Sequence, residues 1–468
     1  MFPVDLGRGR LGRNRKFQSG QALIYGIFLL IGGLAALFFF FNTGQLVREK
    51  TKLVNTADAV AYSAGVMHAR TLNYEAYANR AMVANTVAIA QLVSLSSWIQ
   101  YTNNLAQYGY AANNPKFVAF YPSYYLATMT GQYMQESLND SGVLENLAKA
   151  SDKLNIALGA AQVAASDGLI LVRAQVMKQV AEANYQDDGQ VALDLVPLTG
   201  NSFGDFVQRY SGDDRTRFAK AANIAAHKDG FLKKRSWDLP ALYSDCAGAT
   251  VTGRVDWFDR RGGTELIGFD QWQAMDTLSE KRWTPSDKFD VYCSALAETP
   301  TGWGETAAAD SPTPDLDPSH YDYSLLINPG PSVLAMITSQ SWDYSGIPKF
   351  YDLSPSMLGQ ADNDPRLKFA FRLRRSKMQT VTSEGRSQIK NTARLNTYKA
   401  QPAGGDELVA VSASEAYFQR NTDNAYGQDT YGTPREIGSL FNPFWQARLI
   451  QSDSEVRKAQ LLQGVVVP

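Results

Sequence analysis

The run Ala22-Leu-Ile-Tyr-Gly-Ile-Phe-Leu-Leu-Ile-Gly-Gly-Leu-Ala-Ala-Leu-Phe-Phe-Phe-Phe41 holds 20 residues and no charge, and its reading decides the fold. A helix of that length covers about 30 Å, the thickness of a bilayer's hydrocarbon core. The run is longer than the apolar region of a signal peptide, no small-x-small cleavage signature closes it, and helix-forming sequence follows. It reads as an uncleaved membrane anchor over residues 21–42.

The flanks set the expected orientation. Arg8, Arg10, Arg13, Arg15 and Lys16 against Asp5 give the first 20 residues a charge of +4, while Arg48, Lys50 and Lys52 beyond the run are diluted by Glu49. The positive-inside bias keeps this basic arm, residues 1–20, cytoplasmic and sends the rest across. A whole-chain charge of −1 leaves −5 on the exported part, which offers no basic face for nucleic acid. Gly7-Arg-Gly-Arg-Leu-Gly12 matches a dinucleotide-fold glycine pattern in form only, because no strand precedes it and the membrane run follows.

Beyond the run, no proline occurs between Pro3 and Pro115. Leu46, Leu53, Val60 and Met67 recur every seventh residue, with Ala57, Ala61 and Ala64 on the same face. This is the pattern of a helix packed closely along another helix. The membrane helix is expected to continue towards Asn103-Asn104, with a break at Gly65, and this face is expected to dock partner membrane helices. An intramolecular bundle core is the plainer reading of the same stripe.

Helical character continues from Lys116 to Ala183, with Asp140 or Ser141 as a cap and Tyr185-Gln-Asp-Asp-Gly189 as the end. Residues 43–189 thus read as a helical stalk or bundle outside the membrane. From 190 to 468 the texture becomes that of strands. Asp259-Arg-Arg-Gly-Gly-Thr264 reads as a hairpin turn between Thr250–Phe258 and Glu265–Phe269. Phe289–Leu296, Ser324–Ile327, Lys368–Arg374 and Leu408–Phe418 read as further strands, with Thr299–Asp322 and Asn421–Arg435 as long connections. The fold class is α+β: one N-terminal membrane helix, a helical region and an antiparallel strand-rich exported head.

The chain has two cysteines, Cys246 and Cys293. On the exported side of a membrane an even pair reads as one disulfide, closing a loop of about 48 residues worth on the order of 4 kcal/mol. Two separate buried thiols are the alternative. Neither has a second cysteine or histidine at metal-ligand spacing.

The first hundred residues resemble the TadE/TadG-like family of Flp (tight-adherence) pilus-assembly proteins. The resemblance rests on Gln18-Ser-Gly-Gln-Ala-Leu-Ile, Asn42-Thr-Gly44, Lys50-Thr-Lys-Leu-Val-Asn-Thr-Ala-Asp-Ala-Val-Ala-Tyr-Ser-Ala64 and the segment Leu72–Ala90. Ser414-Glu-Ala-Tyr-Phe and Leu440–Leu449 look like a segment of longer members. It implies a non-enzymatic protein of the bacterial inner membrane or fibre that helps assemble, anchor or tip an adhesive pilus. Its partners would be the inner membrane and other pilus-assembly proteins or pilins, met through the N-terminal helix. Pilins of this system are cut after a glycine and carry glutamate at the fifth mature position. Tyr25 stands there after Gly20, so the resemblance does not carry that cleavage or a carboxylate for packing into the fibre.

Other chemistry is weaker. Asp352-Leu-Ser-Pro-Ser356 matches the opening of a metal-dependent adhesion site, but the residues before it do not form an apolar central strand, and a proline-containing turn is expected. Asp310, Asp315 and Asp317, and Asp362-Asn-Asp364, read as solvated acidic turns. His68, His227 and His320 stand at no metalloprotease spacing, and no hydrolase elbow or phosphate loop occurs. No cofactor is expected. Tyr108, Tyr110, Tyr121, Tyr124, Tyr125, Tyr133, Trp283, Trp303 and Trp342 are interface candidates, although most such rings serve as core. A membrane-tethered periplasmic enzyme acting on the envelope is the alternative function class.

Overall fold

Helix α1 begins at Gln21 and ends at Tyr108, 88 residues without interruption, which makes it about 130 Å long. The structure, a computed structural model, describes residues 21–108, 129–194, 202–240, 244, 246–310, 327–358, 364–380, 407–420 and 437–451. The basic arm, Ser324, Asp315, Asp317, His320 and the tyrosines from Tyr110 to Tyr125 lie outside them.

The expected break at Gly65 does not occur. Gly65 stays helical because its missing side chain is used for packing: a Cβ there would sit 3.0 Å from Ser414 Oγ. The second long helix, α2, is a single element of 42 residues, Val143–Asn184. Neither Asp140 nor Ser141 caps it. Gly142 stands at the N-cap with φ 74°, a left-handed conformation that glycine adopts at little cost. Tyr185 follows the last turn, its N–H bonded to Glu182 O.

The strands are β1 (Ala192–Asp194), β2 (Val207–Tyr210), β3 (Trp237–Pro240), β4 (Trp257–Ile267), β5 (Gln271–Thr284) and β6 (Ala295–Ala309). After them come β7 (Gln340–Asp343), β8 (Phe350–Leu353), β9 (Arg366–Ser376), β10 (Glu407–Phe418) and β11 (Trp445–Ile450). They form a four-stranded sheet in the order β1-β9-β10-β11, a five-stranded sheet β3-β4-β5-β6-β7 and the pair β2-β8. Among the described residues, all pairings are antiparallel except β6 with β7, which is parallel. The α+β class holds, with this one departure from an antiparallel head.

Three local expectations are corrected. Gly262-Gly263 lies inside β4, and the chain reverses at Gly268–Asp270 instead. The absent Cβ at Gly262 is what lets β4 lie flat on its neighbour, since one would meet Asp276 Oδ1 at 2.5 Å. Phe289–Ser294 is a turn and not a strand, built on Asp290: Oδ2 accepts from the Ser286 and Ser294 amides, and Oδ1 from the Tyr292 amide. Thr299–Ala309, read as connection, is the greater part of β6. Its Pro300 is tolerated because the register shifts there, Leu278 facing Gly302 while Ser279 faces Pro300, so Thr301 is the extra residue of a bulge.

Helix α1 is the spine on which both larger sheets are laid, so helices and strands share their cores. Met82, Ile89, Val93 and Ile99 pack with Leu144 and Ala148 of α2, Trp272 of β5, Phe350 of β8 and Phe218 of helix α3 (Thr216–Ala226). The chain changes texture near residue 190, but the packing does not divide there.

Candidate functional site

The N-terminal half of α1 has two environments in succession. From Ala22 to Phe41 the side chains are exposed, among them Leu29 at 77% and Phe40 at 69%. This section is long and apolar enough to cross a membrane, and among the described residues nothing covers it; burial in an apolar phase would be favourable. Helix α2 also passes that test of length and composition, but it lies along α1 as part of the folded body.

After Leu46 the helix enters the body. Leu53, Ala57, Val60, Ala61 and Ala64 are wholly buried against Phe369, Phe371 and Leu373 of β9, Leu408 and Ala410 of β10, and Met177 and Ala181 of α2. Leu46 and Met67 pack at the margins of the same cores. The small-residue face expected to receive partner helices is therefore filled by this chain's own sheet and by α2. Alanines at 57, 61 and 64 suit that role, because a sheet face presses closer to a helix than bulky side chains would allow. Outward on the same leg stand Val47, Val54 and Tyr62, each exposed.

Polar groups fix the leg where it meets the sheet. Lys52 Nζ lies 2.5 Å from Asp188 Oδ2, Arg375 Nε is 3.4 Å from Glu49 Oε2, Lys50 donates to the Val409 carbonyl, and Ser412 Oγ donates to Asp58 Oδ1 at 2.6 Å.

A second set of polar residues, which hydrophobic patterning does not reveal, runs along the α1–α2 interface. His68, Glu75, Asn79 and Thr86 advance by seven, four and seven residues, and Arg173, Ser166, Gln162 and Asn155 retreat by the same steps on antiparallel α2. Arg173 Nη1 bonds His68 Nε2 at 2.8 Å. Ser166 Oγ donates to Glu75 Oε1 at 3.0 Å, Gln162 Nε2 to Asn79 Oδ1 at 2.8 Å, and Asn155 Nδ2 to Thr86 Oγ1 at 3.4 Å. The signal in the sequence was a polar row with the phase of a heptad seam on each helix.

This seam perturbs two titrations. A guanidinium can only donate, so His68 accepts at Nε2 and is neutral. Burial first, and the Arg173 charge second, hold its pKa down to about 3. Burial raises Glu75 to about 8, with the hydrogen bonds of Ser166 and Gln162 opposing it only in part.

The remaining candidates are placed as follows. Cys246 and Cys293 are joined in a disulfide, with Cα atoms 6.4 Å apart. Asp352 ends up on β8 with Ser354 and Ser356 at the start of a short helical turn. Arg217 Nη1 stands 2.7 Å from its Oδ2, and the Leu353 and Leu440 amides donate to Oδ1. That carboxylate is thus neutralised by an arginine in the place where the adhesion-site reading needs a cation. Asp364 pairs with Arg366 at 2.6 Å. Among the described residues, no group of three or more His, Cys, Asp or Glu is placed to hold a metal. Trp303 and Trp342 are core, while Tyr133 is 71% exposed.

The exposed apolar section and the buried leg after it coincide with a family match. Residues 20–70 match the Tad family model, described as "Putative Flp pilus-assembly TadE/G-like". No curated protein and no solved structure matches the chain. The matched segment ends within two residues of His68, where the polar seam with α2 begins, so the body from residue 71 onward is built on the continuation of the helix that carries the match.

Proposed function

We propose that the chain is a non-enzymatic, membrane-anchored structural component of a Flp-type pilus, minor-pilin-like, with an anchoring or tip role in adhesion. The observation that carries this reading is the coincidence of the Tad match, residues 20–70, with the first part of one continuous helix. Its first 20 residues are bare and apolar, and its remainder is the core of the body. Force or position at the apolar end is thereby transmitted to the body through an unbroken hydrogen-bonded rod. In this reading residues 21–42 span the inner membrane, the basic arm stays cytoplasmic, and the strand-rich body is periplasmic or carried on the fibre. Partners of the pilus machinery meet the apolar section directly, since the face at Val60 and Ala64 is filled internally.

Cells lacking the chain should shed few or no sheared surface fibres, and should recover them with the intact chain but not with a version starting at Asn42. Fibres in normal number without the chain would contradict the reading.

A further inference from the structure

Helix α2 has two faces that differ in occupancy. One meets α1 through Leu144, Ala148, the polar seam and Leu169. On the other, apolar or small residues recur in alternating steps of four and three, from Val143 through Leu147, Ala150, Leu154 and Ala157 to Leu171. At 100° per residue the centre of this row lies roughly 150° around the helix from the row that meets α1. Val143, Leu147, Leu154 and Leu171 are 41%, 51%, 51% and 75% exposed. Single exposed leucines need no explanation, but a heptad-spaced row from Val143 to Leu171, small at Ala161, Ala164 and Gly168, does.

We propose that this row is the contact between two copies of the chain, α2 lying parallel against α2. The orientation rests on the membrane reading above: two copies tethered to one bilayer point the same way, so each residue of the row faces its own counterpart. The row is self-complementary in that register. Small layers at Ala150 and Ala157 alternate with Leu147 and Leu154, which lets the backbones approach while the leucines fill the space between layers. Charge does not oppose it, since no position of the row is charged before Lys178, and Lys153 at its edge falls beside the other copy's Leu158. The row from Val143 to Leu171 is about 43 Å long, long enough for the roughly 1,200 Å² that a specific interface needs. Tethering raises the effective concentration of each copy for the other.

The test uses the full-length chain in detergent or nanodiscs. Ala157→Cys chains should link to one another under mild oxidation at least about ten-fold faster than Ile156→Cys chains, whose cysteine stands about 130° from the row, with the parent chain as blank. Light scattering should give the mass of two chains for the parent and for Ile156→Glu, and of one for Leu154→Glu/Ala157→Glu. These sites are exposed, so the glutamates should leave the protease resistance of the body unchanged. Equal linking rates, a parent of single-chain mass, or an undiminished mass in the double variant would each overturn the proposal. Preferential linking of Val143→Cys to Leu171→Cys would overturn the parallel arrangement. If alkaline extraction releases the protein from membranes while Ala157→Cys still links in solution, the membrane reading fails and the α2 pairing stands.

Discussion

His68 and Glu75 sit two helical turns apart on one interface and pull stability in opposite directions with pH. His68 is neutral when folded, its pKa lowered from 6.5 to about 3, so its contribution is present above pH 6.5 and is lost as pH falls towards 3. Glu75 is raised from 4.5 to about 8, so its contribution is full below pH 4.5 and is lost as pH rises through 8. Glu75→Gln should therefore match the parent near pH 4.5 and exceed it at pH 9 by on the order of 5 kcal/mol, read from denaturant midpoints at the two values. An unchanged gap between pH 4.5 and pH 9 would remove the buried carboxylate from the account. His68→Gln keeps an acceptor for Arg173 and should flatten the loss of stability between pH 6.5 and 4, a loss that persists only if other groups cause it.

At the scale of elements, α1 works because its surface fits what is laid on it. Gly304 of β6 comes so near that a Cβ would lie 2.2 Å from Ser97 O, and Asp276 of β5 accepts from Ser97 Oγ at 2.8 Å and from Arg235 and Arg260. Gly304→Val should lift the five-stranded sheet from the helix and cost roughly 3 kcal/mol or more, seen as a lower thermal midpoint. Val60→Arg and Ala64→Arg should remove the folded protein altogether, since each puts an unpaired cation against Phe369 and Leu373; a folded chain with a selective assembly defect would mean that this face also meets partners. The continuation of α1 past residue 42 was legible from the lack of proline and the seven-residue stripe, but its unbroken passage through Gly65 was not, while β9 and β10 were legible from the texture of their strands. Strand β5 was not: Gln273, Asp276, Thr277 and Glu280 are all buried, and polar side chains held inside the fold, Asp276 by Ser97, Arg235 and Arg260 and Gln273 by Gln271 and Glu305, erase the alternation that marks a strand. The same applies to the candidate site, where the family-like helix could be read from its residues, but the seven-residue stripe looks alike whether a partner or the chain's own sheet covers it. Paired cysteines were readable as a bridge on the exported side; two alkylatable thiols in unreduced, unfolded protein would refute it.

For the whole molecule, the apolar section and the body form one rod, with the β5–β6 turn beyond the far end of α1. Strand β6 shows the direction: Thr306 lies by Ser96, Gly304 by Ser97 and Gly302 by Leu105, so its start at Ala295 points past the end of the helix. Phe289 in that turn is 89% exposed, which places a reporter position at the pole opposite residues 21–42. The central claim is that these residues span the membrane with the basic arm and the body on opposite sides. Single cysteines at Arg10 and at Phe289 test it in spheroplasts with a membrane-impermeant thiol reagent, against the parent chain as background. Phe289→Cys should label in intact spheroplasts and Arg10→Cys only after permeabilisation. Labelling of both before permeabilisation, or of neither, would contradict it.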